Sequence, residues 1–285
     1  MPNQTDQFTD TTSVAIVGVG LIGGSIAAAL KSRGHHGCIV GVGRNADRLQ
    51  SAVSAGLIDE FATDLAKVQA DLNILCTPVD HIVSQARSIA ANSDGKAIFT
   101  DVGSVKERIC TDLNAELPGR FVGSHPLAGS EKHGFEHADG DLFVNRLCVV
   151  TPSDHSPTEH IELIEQFWRS IGMRTLRMSP TEHDAALAQT SHLPHLVASV
   201  LAGCLPTDWL KLTSTGFADT TRIAAGDADL WTAILLQNRA HVLAACDRFE
   251  TTWREFRNAI ETRDATQLKQ QLVRGKTVRD AIAND

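Results

Sequence analysis

Tyrosine is missing from this chain of 285 residues, and aromatic side chains as a whole make up only 5% of it. Any chemistry that relies on a catalytic tyrosine is therefore unavailable. No apolar run reaches the roughly 20 residues that a membrane-spanning helix needs. There is no Cys-x-x-Cys pair: the six cysteines at 38, 76, 110, 148, 204 and 246 lie far apart, four of them inside apolar runs. They are expected to be reduced, buried thiols rather than a disulfide framework or a zinc site, and no metal is expected. Basic residues are outnumbered, 26 to 34, for a net charge of -8. That argues against a nucleic-acid partner, whose phosphates need a basic face. The polar start, Met1 to Thr12 with Asp6 and Asp10, lacks the basic opening and apolar run of a signal peptide, so a cytoplasmic protein is expected. An anionic ligand would gain nothing from the overall field, so local cations and helix N-termini must hold it. Arg44 and Arg222 are the best-placed cations.

What is present is a regular alternation in the first half. Short apolar runs at Val14 to Val17, Cys38 to Val42, Leu72 to Cys76, Ala97 to Thr100, Phe121 to Gly123 and Leu147 to Val150 are separated by helical stretches. A helix from Ile161 to Ile171 and a last strand from Met173 to Met178 follow. Such alternation predicts an α/β domain with a mostly parallel, Rossmann-type sheet covered by helices. Ser179-Pro180-Thr181-Glu182 then places Ser at an N-cap, Pro at the first helical position and Glu where a capping box wants it. Beyond it no strand is evident. Asp227 can cap one long helix from Ala228 to about Thr262, with Leu230, Ile234, Val242, Ala245, Phe249, Phe256 and Ile260 facing inward. The chain thus reads as a dinucleotide-binding domain over 1–178 and an all-α domain over 179–285, whose limited core gives it a motive to pack against a twin.

Gly18-Val19-Gly20-Leu21-Ile22-Gly23 follows the first strand and opens a helix, the context a Gly-x-Gly-x-x-Gly motif requires. Gly18 allows the tight turn, Gly20 the approach of a pyrophosphate, and Gly23 close strand-helix packing, with the helix N-terminus toward the phosphates. At the end of the second strand, where a carboxylate would hold the ribose hydroxyls of NAD, the sequence reads Gly41-Val42-Gly43-Arg44-Asn45. Arg44 can instead pair with a 2′-phosphate, so NADP is expected over NAD, with an exposed turn arginine as the alternative.

Three further segments carry polar groups suited to one anion-binding site. His125-Pro126-Leu127-Ala128-Gly129-Ser130-Glu131 holds a candidate acid/base. Ser191-His192-Leu193-Pro194-His195 places two histidines three residues apart on roughly one helix face, unless Pro194 ends the helix and both are surface caps. Gly216 to Ile223 contains Asp219 and Arg222, for which a helix-end salt bridge is the alternative.

Taken with Cys-Thr-Pro-Val at 76–79 and Asp-Val-Gly-Ser-Val-Lys at 101–106, these segments make the chain, from about Val14 to its end, resemble the prephenate and arogenate dehydrogenases of tyrosine biosynthesis. The resemblance implies oxidative decarboxylation of a cyclohexadiene with hydride transfer to NAD(P), by a homodimer. His125 matches the family's catalytic histidine, largely neutral at physiological pH if its pKa stays near 6.5. Ser104 matches a serine near the same hydroxyl and the nicotinamide. Arg222 matches the clamp for a substrate carboxylate, and Ser130, Glu131, His192, His195 and Asp219 match surrounding substrate positions. Thr77 and Pro78 match a loop near the cofactor, and Trp231 an aromatic wall, for which core packing is the alternative. Ala218 departs from the Lys that some relatives carry, which leaves recognition of the substrate's side chain open between prephenate and arogenate. An appended regulatory domain is not expected, so any feedback by tyrosine would act at the cleft.

Two rival enzyme classes fail on residues. Short-chain reductases need a Tyr and Lys pair, and β-hydroxyacid dehydrogenases a Gly-x-x-x-Lys helix motif absent from the helical half. A non-catalytic dinucleotide sensor remains as the alternative of another kind. It would leave His125 far from Arg222 and Gly20.

Overall fold

The structure, a computed structural model, describes residues 8–129, 132 and 134–282. Five parallel strands, β1 Val14–Val17, β2 Ile39–Val42, β3 Glu60–Ala62, β4 Leu72–Leu75 and β5 Ile98–Asp101, form one sheet in the order β3-β2-β1-β4-β5. Helices α1 Leu21–Ser32, α2 Ala46–Ser54 and α3 Ile82–Ala90 lie between strands, and α4 Glu107–Glu116 follows β5. The short β3 was not among the expected strands. Its residues are half-buried or exposed, so no apolar run announces it.

β1 is central, pairing with β2 on one side and β4 on the other, and all four of its residues are buried. Alternate residues serve opposite faces, as strand geometry requires. Val14 and Ile16 join a core with Ile26, Leu30, Phe167 and Trp168, while Ala15 and Val17 join one with Phe99, Ile109, Leu113 and Phe121. The chain runs outward from β1 to β3 and then returns to β4 on the other side. A crevice therefore opens beyond the carboxyl ends of β1 and β4, where open α/β sheets place their ligands.

A second sheet contains β6 Gly123–Pro126, β7 Leu147–Thr151 and β8 Arg174–Arg177 in that order, with α5 Thr158–Ser170 between β7 and β8. The pair β6/β7 is antiparallel and β7/β8 parallel. A single parallel bridge, Phe99 to Phe121, ties β5 to the run before β6. β6 starts two residues later than expected and extends through His125, which places that residue on a strand rather than in a loop.

α6 Pro180–Leu187 opens with the anticipated capping box: Ser179 Oγ accepts from Glu182 N at 3.2 Å, and Glu182 Oε2 from Ser179 N at 3.0 Å. One wide, π-helical turn follows at Ala188–His192, and α7 Leu193–Gly203 continues with Pro194 in its first turn, where no intrahelical N–H is needed. After a 3₁₀ turn at Thr207–Leu212 come α8 Thr215–Thr221, a 3₁₀ turn at Arg222–Ala225, and α9 Ala228–Gln237. Asp227 caps α9, accepting from Leu230 N at 2.8 Å.

The expected single helix from Ala228 to Thr262 is in fact two. Asn238, at φ -99 and ψ 27, separates α9 from α10 Arg239–Glu261, and α11 Ala265–Ile282 ends the described chain. The break frees the Asn238 side chain for the buried hydrogen bonds described below. Of the expected inward positions, Ile234, Val242 and Ala245 are buried and Phe256 half-buried, but Leu230, Phe249 and Ile260 are exposed. The apolar stripe is wider than one chain covers.

By packing, the chain divides into one compact unit up to Asn238 and a second from Arg239 onward, in which α10 and α11 pair. Of the cysteines, Cys110 and Cys148 are buried as expected, Cys38, Cys76 and Cys246 are partly so, and Cys204 is exposed. All six are free. No described helix is long and apolar enough to cross a membrane.

Candidate active site

The glycine turn sits at the carboxyl end of β1. Gly18 adopts φ +98, and a Cβ there would lie 2.8 Å from Thr77 Cγ2 and 2.9 Å from Cys76 O. The β4 loop with Thr77 and Pro78 is thus in contact with the turn. A Cβ at Gly23 would come within 2.2 Å of Gly18 O, so only glycine lets the helix approach this closely, whereas Gly20 has open space beside it. α1 begins at Leu21 and Ile22 with no acidic residue in its first turn, leaving its positive end uncompensated. This is a cradle that fits a pyrophosphate.

Beside it, a pocket of about 190 Å³ is lined by Val19, Gly43, Arg44, Asn45, Arg48 and Leu49. Asn45 serves as the N-cap of α2, accepting from Arg48 N at 2.9 Å. Arg48, which sequence reading passed over, adds a second guanidinium. It reaches Glu136 at 3.2 Å and lies over the Phe135 ring. Its spacing, four residues after Arg44 at the start of a helix, was the available signal.

His125 lies on β6, half-buried. Its Nδ1 is 2.8 Å from His183 Nε2, and His183 Nδ1 is 2.7 Å from Asp184 Oδ1. Asp184 also accepts from Lys106 N at 2.7 Å and Glu107 N at 2.9 Å. Lys106, fully buried, pairs its ammonium with the equally buried Asp101, whose other oxygen accepts from Ser124 N at 3.1 Å. Ser124 Oγ donates to Asp101 O at 2.6 Å and accepts from Trp168 Nε1 at 3.0 Å. These bonds lock β6 to the end of β5. Ser104 lies in that β5–α4 turn, half-buried, two residues before Lys106.

Burial pushes the His125 pKa well below its usual value, and His183, Lys106 and His192 add to the effect. The simple expectation of a value near 6.5 is thus revised downward, and the imidazole is neutral. Burial also lowers His183, against the opposing effect of its hydrogen bond to Asp184. For Asp184 itself burial acts upward, but the hydrogen bonds from His183, Glu107 and Lys106 outweigh it and the net shift is down.

On the other side, Asn238 bridges two histidine-bearing segments. Its Nδ2 donates to Asp184 O at 2.8 Å and to His192 Nδ1 at 3.1 Å. His192 and His195 are 1% and 5% exposed, so neither is a surface cap. His195 stacks on Trp231 at 3.6 Å between ring centres, and Trp231 also packs against the core cluster that holds Ile234, so it serves both. Burial lowers His192 to about 4 and lowers His195 as well. His192 Nε2, His195 Nδ1 and Asn238 Oδ1 are buried without a hydrogen-bond partner.

The structure therefore joins His125, His192, His195 and Trp231 through His183, Asp184 and Asn238. Sequence reading missed those three; their signal was a His-Asp pair just after a capping box and an Asn interrupting a helical pattern. Arg222 and Asp219 stand apart, both exposed, on segments that pack against α7. The alternative salt bridge between them is not formed among the described residues. Ser130 and Glu131 lie outside the described residues. Among the latter no group of three or more His, Cys, Asp or Glu side chains could hold a metal ion.

Comparison with known proteins follows this geometry. Residues 26–177 match the family model described as prephenate dehydrogenase, nucleotide-binding domain, and residues 179–274 the one described as prephenate dehydrogenase, dimerization domain. The cyclohexadienyl dehydrogenase of Zymomonas mobilis is 33% identical over 282 residues, 95% of this chain and 96% of that protein. The crystal structure of Aquifex aeolicus prephenate dehydrogenase in complex with hydroxyphenyl propionate and NAD+ aligns with a TM-score of 0.90 at 34% identity, covering 95% of this chain and 98% of that one. Synechocystis arogenate dehydrogenase aligns with a TM-score of 0.83 at 32% identity, covering 95% and 99%. With both family models spanning most of its length, the chain belongs to the prephenate dehydrogenase family.

Proposed function

We propose that this chain oxidatively decarboxylates prephenate to 4-hydroxyphenylpyruvate in tyrosine biosynthesis, with His125 as the base. The single observation that carries this is the neutral, hydrogen-bonded imidazole of His125, held by buried partners in a protein of this family. The dinucleotide, when bound, supplies the hydride acceptor, and Gly18, Gly20, Leu21, Ile22, Gly23, Thr77 and Pro78 would hold it. His125 takes the proton of the ring hydroxyl as the carbon beneath it is oxidised. It returns that proton to the same oxygen when carbon dioxide has left and the ring is aromatic, so no net proton is released. Ser104 is assigned to orient the hydroxyl. Arg222 is assigned to a carboxylate of the substrate, for which an exposed guanidinium with no ion pair among the described residues is available. His192 and His195 are read as lining the same site, and Asp219, Ser130 and Glu131 are assigned to it as further substrate positions.

Arogenate is the second reading, favoured by the likeness to the Synechocystis arogenate dehydrogenase, and Ala218 does not discriminate between them. NADP is favoured over NAD because two guanidiniums, Arg44 and Arg48, and no carboxylate line the pocket beside the glycine turn. The helical part from about 179 onward is read as the substrate and dimer half. Exposed Leu243, Trp253, Ile260, Leu272 and Ile282 on α10 and α11 support a homodimer. The deciding assay gives the purified chain prephenate or arogenate, each with NAD or NADP, and follows absorbance of the reduced cofactor. No turnover in any of the four mixtures, with nucleotide still bound, would favour the dinucleotide sensor.

A further inference from the structure

We propose that His183 and Asp184 are positioning residues for His125, fixing its imidazole as the Nδ1–H tautomer so that Nε2 is the nitrogen that takes the substrate's proton. The inference rests on the reading of His125 as the base. It follows by elimination along one chain of hydrogen bonds. Asp184 receives three N–H donors, from His183, Lys106 and Glu107, a set that keeps a buried carboxyl ionised. An ionised carboxylate only accepts, so His183 Nδ1 carries a proton. The neutral His183 ring then presents a lone pair at Nε2, and His125 Nδ1, 2.8 Å away, must be the donor. Nε2 of His125 is left with the free electron pair.

The same chain answers the charge that forms in the reaction. When Nε2 of His125 takes the hydroxyl proton, the ring becomes an imidazolium, and its Nδ1–H donates more strongly to His183, which is backed by Asp184. The proton goes back to the substrate oxygen, so each member ends as it began. At rest the other charged and titratable groups around His125 are Lys106 before α4 with its partner Asp101 at the end of β5, His192 from the wide turn, and Cys148 on β7. The nearby Lys106 cation disfavours a resting imidazolium, which keeps the base in its working form.

Asp184 also caps α4 through the Lys106 and Glu107 amides, so a purely structural role has to be separated from positioning. In Asp184→Asn the amide nitrogen can take the Oδ1 position and donate to His183 Nδ1, at the cost of the Lys106 N bond that Oδ1 accepts in the wild type. That would turn His183 around as a donor and move the His125 proton to Nε2. The expected result is a fall in kcat of about 100-fold or more, with KM within about threefold. Nitrogen NMR of the histidine-labelled, ligand-free chain should show His125 as Nδ1–H in the wild type and Nε2–H in the variant. His183→Gln keeps the α4 cap and offers an amide oxygen to His125 Nδ1–H. It should retain the Nδ1–H tautomer and keep kcat within about tenfold, while the acid limb of kcat/KM moves to lower pH because the carboxylate-backed partner is gone. An Asp184→Asn protein with His125 still Nδ1–H, or with near-wild-type kcat, overturns the proposal. So does a loss of kcat at unchanged tautomer with a lowered melting temperature, which would mean capping alone. Should the wild type oxidise neither substrate, the assigned base fails while the ligand-free spectra still decide the tautomer.

Discussion

The two histidine clusters differ in how far the protein satisfies them by itself. Around His125 the polar groups are closed into a network: Asp101, Lys106, Ser124, His183 and Asp184 each have a protein partner. Around His192 and His195 the network stops short, with His192 Nε2, His195 Nδ1 and Asn238 Oδ1 buried and unpartnered. An orphaned buried donor or acceptor costs about 1–3 kcal/mol. One half is thus rigid before anything binds, as a base must be to meet developing charge without reorganisation. The other half holds polar atoms in reserve for a ligand. His192 is the clearest instance: its Nδ1 accepts from Asn238, so the unpartnered Nε2 carries a proton and is a neutral donor.

This contrast predicts that changes in the closed cluster appear in kcat and changes in the open one in KM. The largest effect is expected from His125→Asn, a kcat loss of about 100-fold or more with KM little changed, read by steady-state kinetics. Near-wild-type turnover would remove the assigned role. Arg222→Ala should raise KM by about 10- to 100-fold through loss of a charged hydrogen bond worth about 1.5–3 kcal/mol, with kcat nearly preserved. His192→Phe, which keeps a ring against Trp231 and removes the donor, should raise KM by about tenfold. A kcat loss with KM unchanged would instead put His192 in the closed set. Smaller still, Arg44→Ala and Arg48→Ala should each lower kcat/KM with NADP relative to NAD by about tenfold. An unchanged ratio for both would leave NADP preference without its proposed cause.

Stability should follow pH for the same structural reason. His125, His183, His192 and His195 all have lowered folded pKa values, His192 about 4. Their contribution is present above about pH 6.5, the unfolded value. It is lost as pH falls through the folded values, because the unfolded state binds more protons in that window. Thermal melts between pH 7 and pH 4.5 should show a falling midpoint, shallower in His192→Phe.

Local signals read well. The glycine turn, the Ser179 to Glu182 box and the Asp227 cap need only neighbours within four residues, and each formed where expected. What escaped depends on distant contacts. The Asn in Gln237-Asn238-Arg239 marks an interruption of the helical pattern, but nothing local reveals that it bridges Asp184 and His192. β3 has no buried run to mark it. At the site, the residue types in the motifs pointed to the segments that carry His125, His192 and His195, which the structure joins in one network. The His-Asp pair after the capping box hinted at a second layer, but its link to His125 shows only once β6 and α6 are seen side by side.

The turn at Ala188–His192 uses about one residue more than an ordinary helical turn. The spacing between the proton-handling pair on α6 and the rings at 192 and 195 is therefore a matter of counting as well as chemistry. Removing one position there would rotate α7 by about 100° relative to α6 and carry His195 away from its present phase with His183 and Asp184. A change of length in this stretch should therefore disturb the site more than the exchange of one exposed side chain for another.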